Sequence, residues 1–131
     1  MKIILFACTE NKKRSKMAEA IFNHFAKGKE TSVQAISAGT IPATETDSHV
    51  AAILAKHHID FKEEAPKKLS DEMLEHADRI ISFGCLIPDM FPKEKFEEWL
   101  VEDPQTEEEY EKAYVTIYEK VTDLFSAISN S

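Results

Sequence analysis

The sequence predicts a three-layer α/β/α protein built on a parallel sheet of four strands. Apolar strand-like runs alternate with amphipathic helical stretches along the 131 residues, and this alternation is typical of a parallel sheet with helices on both faces. The first run, residues 2–7, is apolar without interruption from Ile3 onward, as expected of a strand buried on both faces. A chain of this length suits one core, so we expect residues 1–131 to form a single domain.

Composition narrows the classes of partner. Asp and Glu number 24 against 16 Lys and Arg, which gives a formal net charge of −8. So acidic a protein repels nucleic acid and anionic membranes, and we expect neither as a partner. The apolar run at the start is too short for a membrane span or a signal peptide. A cytoplasmic location is therefore expected, where two cysteines are more often reactive than structural.

The remaining elements follow from periodicity and capping signals. Gly28 is placed to end the first helix, Ser70 to cap a short helix, and Thr106 with Glu109 to form a capping box before a long apolar stripe. The pattern predicts helices at 14–27, 46–57, 70–76 and after 106, with strands at 2–7, 32–37, 79–83 and 98–101.

Three chemically reactive residues follow the ends of different predicted strands. Cys8 comes directly after the first strand, Cys85 follows the third after one glycine, and Asp103 follows the fourth. Ligands of open parallel sheets bind beyond the carboxyl ends of the strands. We therefore expect all three side chains to converge on one edge of the sheet.

The segment from Cys8 to Ser15 has the features of an oxyanion site. A loop between a strand and a helix directs backbone N–H groups and the positive helix end at one concavity, which binds anions. A thiol held there is expected to have a pKa below the ordinary value of about 8.5, and the thiolate is the nucleophile. The planar guanidinium of Arg14 can clamp two oxygens of a phosphate-like anion.

Each of these residues also has a simpler interpretation. Cys8 can be a core cysteine at a strand end, and Cys85 inert packing rather than a resolving thiol. Asp103 precedes a proline, so it can mark a turn as well as act as a proton donor. The five histidines fit no ligand spacing, and no metal is expected.

Taken together, the motifs resemble the low-molecular-weight protein tyrosine phosphatase superfamily, and within it the thiol-coupled arsenate reductases. The resemblance covers nearly the whole chain. It is carried by ILFACTEN at 4–11, RS at 14–15, MAEA at 17–20, SAGT at 37–40, ID at 59–60, ADRII at 77–81, GC at 84–85, Trp99, and DP at 103–104.

This resemblance implies both the fold and the roles of residues. The fold would be phosphotyrosine phosphatase I-like, with flavodoxin-like topology. Cys8 would be the nucleophile, Arg14 the oxyanion clamp and Asp103 the general acid. Asn11 would brace the loop and Ser15 would donate to the thiolate. The oxyanion would be bound by the loop amides of Thr9, Glu10, Asn11, Lys12, Lys13 and Arg14.

Two features favour the reductase branch. Gln105 stands where phosphatases usually carry an aromatic residue after Asp-Pro, and Cys85 resembles the second redox cysteine of the reductases. In that scheme Cys8 attacks arsenate, Cys85 attacks the Cys8–arsenic adduct, and arsenite leaves. No cofactor is bound, and an external reductant (thioredoxin, glutaredoxin or a small thiol) reduces the Cys8–Cys85 disulfide. No cysteine follows Cys85, which excludes a three-cysteine relay.

Two alternatives remain open. One is a phosphatase that hydrolyses a phosphoprotein or a small phosphoester through a phosphocysteine at Cys8, with Cys85 incidental. The other is a non-catalytic anion-binding relative, for which only Lys12 and Lys13 speak. These two lysines stand where many loops of the family have small residues, and their bulk can alter the shape of the loop.

Overall fold

The computed structural model describes residues 1–27 and 32–129, and for Ser129 the backbone alone. These residues contain four strands, four α-helices and one 3₁₀ turn at Pro88–Met90, which lies between the third and fourth strands. In chain order they are β1 (Lys2–Cys8), α1 (Arg14–Ala26), β2 (Val33–Gly39), α2 (Ser48–Lys56), α3 (Asp71–His76), β3 (Arg79–Ser82), β4 (Phe96–Glu98) and α4 (Glu107–Ser129).

The four strands form one parallel sheet in the order β2-β1-β3-β4. The chain reverses its direction of winding beside β1, because β2 lies on one side of it and β3 on the other. A reversal of this kind opens a crevice at the carboxyl ends of the strands. Cys8 is the last residue of β1 and therefore lies at this crevice.

The uninterrupted apolar character of β1 is explained by burial on both faces. Ile4, Phe6 and Cys8 point into a large cluster with α1, α2 and α4. Leu5 and Ala7 point to the other face, into a smaller cluster lined by α3 and the segment after β3. The predicted three layers and four-stranded parallel sheet are thus confirmed, with most of the helical mass on one face.

Most predicted elements are present, with shifted ends. Ser70 caps α3 by accepting from the N–H of Met73 at 3.2 Å. Thr106 and Glu109 form the expected capping box, with reciprocal hydrogen bonds of 3.1 and 3.2 Å. β2 continues to Gly39, and α2 is shorter at both ends than residues 46–57. The expected stop at Gly28 lies outside the described residues.

The prediction of β4 at residues 98–101 is wrong, because the strand is Phe96–Glu98. Trp99 and Val101 are only 3% and 6% exposed, so their alternation reports burial rather than strand pairing. The backbone N–H of Trp99 still donates to the Ser82 carbonyl at 2.8 Å. No described helix has the length and hydropathy to cross a membrane.

Candidate active site

The sulfur of Cys8 is held by two hydrogen bonds at the floor of a cleft. The thiol is 6% exposed. Its Sγ lies 2.9 Å from the Ser15 hydroxyl, and the backbone N–H of Asn11 donates to it at 3.0 Å. Both contacts stabilise a thiolate.

Asn11 braces the loop from inside. Its backbone has a positive φ of 54°, a conformation that Asn adopts more readily than most side chains. Its buried side chain donates to the Ser15 hydroxyl at 2.9 Å and accepts from the N–H of Lys67 at 2.9 Å. The orientation of Ser15, and through it that of the Cys8 sulfur, is therefore fixed by this one side chain.

The carbonyls of the loop are turned away from the cleft. Those of Cys8, Thr9, Glu10 and Lys12 accept from backbone N–H groups between residues 40 and 47 at 2.8 to 3.1 Å. Carbonyls tied in this way cannot repel an anion in the cleft, and the opposite side of the peptide planes, which carries the N–H groups, faces it.

Gly39 lets the segment after β2 approach this closely. A Cβ atom there would lie 2.6 Å from the Thr9 carbonyl oxygen and 2.9 Å from the Asn11 nitrogen. Only a residue without a side chain fits at such distances.

Arg14 is anchored by two backbone carbonyls. One guanidinium nitrogen, Nη1, donates to the carbonyl oxygens of Phe83 at 2.9 Å and of Val101 at 2.5 Å. These bonds use part of the fork and leave other donors of the guanidinium for a ligand. No sequence signal marks Phe83 or Val101 as anchors, since they act through their backbones.

The second cysteine lies at the same cleft. A cavity of about 430 Å³ is lined by residues 8–14 together with Cys85, Asp103 and Gln105. Cys85 is exposed and Cys8 is buried, and both are free thiols. The Thr9 hydroxyl donates to the Cys85 carbonyl at 3.5 Å, which ties the loop after β3 to the loop after β1.

Each carboxylate oxygen of Asp103 has one side-chain partner. Lys13 Nζ lies 3.5 Å from Oδ1, and the side-chain amide of Gln105 donates to Oδ2 at 2.9 Å. Lys13 also donates to the Pro104 carbonyl at 3.0 Å. The loop lysines thus have different partners, because Lys12 pairs with Glu10 at 3.3 Å.

The expected lowering of the Cys8 pKa is wrong. Burial is the largest influence and raises the pKa of the thiol, whereas the hydrogen bonds from Ser15 and Asn11, and more weakly the charge of Arg14, lower it. The expectation counted the donors of the loop and left out the desolvation of a sulfur at the floor of the core.

All predicted site residues lie at this cleft, including Ser15 behind the sulfur. A buried cysteine thiol, a loop whose carbonyls turn away from the cleft and a carboxylate at the carboxyl edge of a parallel sheet are features of enzymes that use a thiolate on oxyanions. The sequence model of the low molecular weight phosphotyrosine protein phosphatases matches residues 3–131, so the chain belongs to that family. The family resemblance and the prediction of a thiolate-dependent enzyme are confirmed.

Solved structures of both reductases and phosphatases are similar to this chain. An arsenate reductase from Archaeoglobus fulgidus is 31% identical over 94% of this chain and 98% of that one, with a TM-score of 0.76. A thioredoxin-dependent arsenate reductase from Corynebacterium glutamicum is 27% identical with a TM-score of 0.82; the match covers 98% of this chain and 62% of that chain. A low molecular weight protein tyrosine phosphatase from T. tengcongensis is 26% identical over 97% and 99%, with a TM-score of 0.86.

Proposed function

We propose that this enzyme reduces arsenate to arsenite, with Cys8 as the nucleophile and Cys85 as the second thiol. The observation that carries the proposal is the presence of both free thiols at one anion-binding cleft, the first at its floor and the second exposed at its edge.

In the first step the Cys8 thiolate attacks the arsenic of dihydrogen arsenate. An S–As bond forms and one As–O bond breaks. The departing hydroxyl takes a second proton and leaves as water, and a Cys8–S–AsO₃ adduct remains. The loop amides and the remaining guanidinium donors of Arg14 would stabilise the oxygens of the transition state, where negative charge develops.

In the second step Cys85 attacks the sulfur of the adduct. An S–S bond forms, the S–As bond breaks and its electron pair stays on arsenic, which is reduced from As(V) to As(III). Arsenite leaves after taking up protons, one from the Cys85 thiol and the others from solvent. Cys8 becomes a leaving group only later, when a reductant attacks the disulfide, and Ser15 and the Asn11 N–H can then stabilise its thiolate.

The enzyme must then receive two electrons from outside. A dithiol of the thioredoxin or glutaredoxin type, or two molecules of a small thiol, would reduce the Cys8–Cys85 disulfide. The dependence of the C. glutamicum enzyme on thioredoxin, stated in its name, supports the first of these. No bound cofactor enters the scheme.

Hydrolysis of a phosphoester through a phosphocysteine is the second candidate, favoured by the presence of Asp103 at the same cleft. Within the described part of the chain, however, no residue lining the cleft is aromatic. A phosphotyrosine ring would find no aromatic surface there to stack on. The lining therefore favours a small oxyanion over a phosphoprotein.

Paired assays test the proposal. Arsenite formation from arsenate would be measured with dithiothreitol or thioredoxin as reductant, beside hydrolysis of p-nitrophenyl phosphate. We expect Cys8→Ser to abolish both activities, and Cys85→Ser to abolish turnover of arsenate but spare hydrolysis. Arsenate reduction at the wild-type rate in Cys85→Ser would show that Cys85 is incidental.

A further inference from the structure

A second cavity lies beside β2, the strand at one edge of the sheet. Its volume is about 370 Å³, and its walls are formed by α1, β2 and the segment at residues 60–67. Within the described part of the chain, this cavity shares no lining residue with the cleft of Cys8. The chemistry proposed at Cys8 therefore gives it no role.

The most unusual residue of its wall is Lys16, a buried cation without an ion pair. Lys16 is 2% exposed, and no described group lies within hydrogen-bond or ion-pair distance of its ammonium. Burial lowers the pKa of Lys16, and the more distant charges of Glu19 and Glu64 only partly oppose this effect. Because burying an unpaired charge is costly, an anion bound beside Lys16 would relieve that cost.

Two other lysines of the wall already have carboxylate partners. Lys67 pairs with Glu64 at 3.1 Å, and Lys27 pairs with Asp60 at 2.6 Å. Lys16 differs from both in being buried and unpaired, so it is the lysine at which a ligand anion would gain most.

The rest of the wall limits the charge and the shape of such an anion. Three carboxylates line the cavity, those of Glu19, Asp60 and Glu64, and they would repel a doubly charged phosphate more strongly than a monoanion. The apolar part of the wall comes from α1, β2 and the covering segment, and consists of Ala20, Ala35, Ile36 and Phe61. A ligand with one negative charge and an apolar body matches both properties.

We propose that this cavity binds a small carboxylic acid with an apolar body. The carboxylate would pair with the Lys16 ammonium, and the body would lie against Ala20, Ala35 and Phe61. This site goes beyond the chemistry proposed at Cys8 and does not depend on it.

Phenylacetate is a suitable probe, because it combines one carboxylate with an apolar ring. Its binding would be measured by NMR titration of isotope-labelled protein, through the backbone amide signals of α1 and β2. Inorganic phosphate, added in excess, would compete for the oxyanion loop of Cys8. We expect the same Kd for phenylacetate with and without phosphate. The uncharged analogue phenylacetamide should bind about tenfold more weakly or worse, since it cannot form the ion pair.

Variants of the cavity wall test the role of Lys16. Lys16→Met removes the ammonium and keeps an unbranched side chain, and it should raise the Kd for phenylacetate by about tenfold or more. Lys62→Met is the matched control, because this side chain lines the same cavity but is 89% exposed. It should leave the Kd nearly unchanged. Glu64→Gln removes a repelling carboxylate at a partly exposed position and should lower the Kd, which provides a test if Lys16→Met does not fold.

Several results would overturn this assignment. Displacement of phenylacetate by phosphate would place its binding at the cleft of Cys8 instead. Equal affinities for phenylacetate and phenylacetamide, or an unchanged Kd in Lys16→Met, would show that Lys16 does not bind the carboxylate. A Kd that Glu64→Gln fails to lower would contradict the selection by charge. Amide signals of α1 and β2 that show no saturable shift would mean that the cavity binds no such acid.

Discussion

Individual contacts of the Cys8 sulfur determine how readily its thiol ionises. The sulfur lies at the floor of the core, where desolvation works against its ionisation, and hydrogen bonds from Ser15 and the Asn11 N–H oppose that cost. Because the net pKa of the thiol is raised, the thiolate is the minor form at neutral pH, and its fraction is still increasing above the ordinary pKa of cysteine. We expect every activity that begins at Cys8 to rise with pH on its acid limb.

Ser15 gives the sharpest test of this balance. Ser15→Ala removes the strongest of the interactions that lower the Cys8 pKa. The pH profile of Cys8 alkylation by iodoacetamide should shift to higher pH, and the rate at neutral pH should fall by roughly tenfold, since one hydrogen bond to a charged group is lost. The measurement uses Cys85→Ser protein, so that only Cys8 reacts.

Ser15→Thr is the matched control for that experiment, because it keeps the hydroxyl. An alkylation profile that does not move in Ser15→Ala would show that the hydroxyl does not stabilise the thiolate.

At the scale of elements, the start of α4 links helix stability to the cleft. Glu109 accepts from the backbone N–H groups of both Gln105 and Thr106, and Thr106 accepts from Glu109. The same capping box that begins a 23-residue helix therefore fixes the backbone of the residue that contacts Asp103.

Thr106→Ala should lower the free energy of unfolding by about 1 kcal/mol, which is typical of a lost helix cap. Urea denaturation at neutral pH measures it. Glu108→Ala is the control, because this exposed residue lies in the same first turn and has no part in the capping box. A loss in Glu108→Ala as large as that in Thr106→Ala would show that the effect is not specific to the capping residues, and no loss in Thr106→Ala would show that the cap does not stabilise α4.

The elements also show which parts of the sequence could be interpreted in advance. β1 was predictable because burial on both faces leaves an uninterrupted apolar run, and α4 because its stripe follows a capping box. β4 was misplaced because Trp99 and Val101 are buried outside the strand. Cys8, Arg14 and Asp103 could be found from motifs. The anchoring of Arg14 by the carbonyls of Phe83 and Val101 could not, because any residue supplies a carbonyl.

For the molecule as a whole, one half-buried carboxylate should make the protein less stable as pH rises, whereas most carboxylates of folded proteins have the opposite effect. Burial raises the pKa of Glu19, and the hydrogen bond from Ser37 and the charge of Lys16 only partly offset it. Glu19 thus binds a proton more tightly in the folded than in the unfolded chain. Its contribution to stability is fully present below the ordinary pKa of Glu and is lost as pH rises through the folded pKa.

Glu19→Gln should therefore gain in stability relative to the wild type as pH increases from about 4 to 8, with the difference levelling off once Glu19 is ionised in both states. Urea denaturation across this range measures the difference. Glu63→Gln removes one charge at an exposed position and serves as the control. A constant difference between Glu19→Gln and the wild type would mean that Glu19 does not titrate abnormally.

The unequal exposure of the two thiols determines which cysteine the reductant attacks in the proposed catalytic cycle. Once the disulfide has formed, an incoming reductant can reach the sulfur of exposed Cys85 but not that of buried Cys8. We expect the transient mixed disulfide with the electron donor to form at Cys85. Cys8 would leave as a thiolate, which the Ser15 hydroxyl and the Asn11 N–H stabilise. The Cys8 thiolate, which begins each turnover, would thus be regenerated as a leaving group without direct attack by the donor.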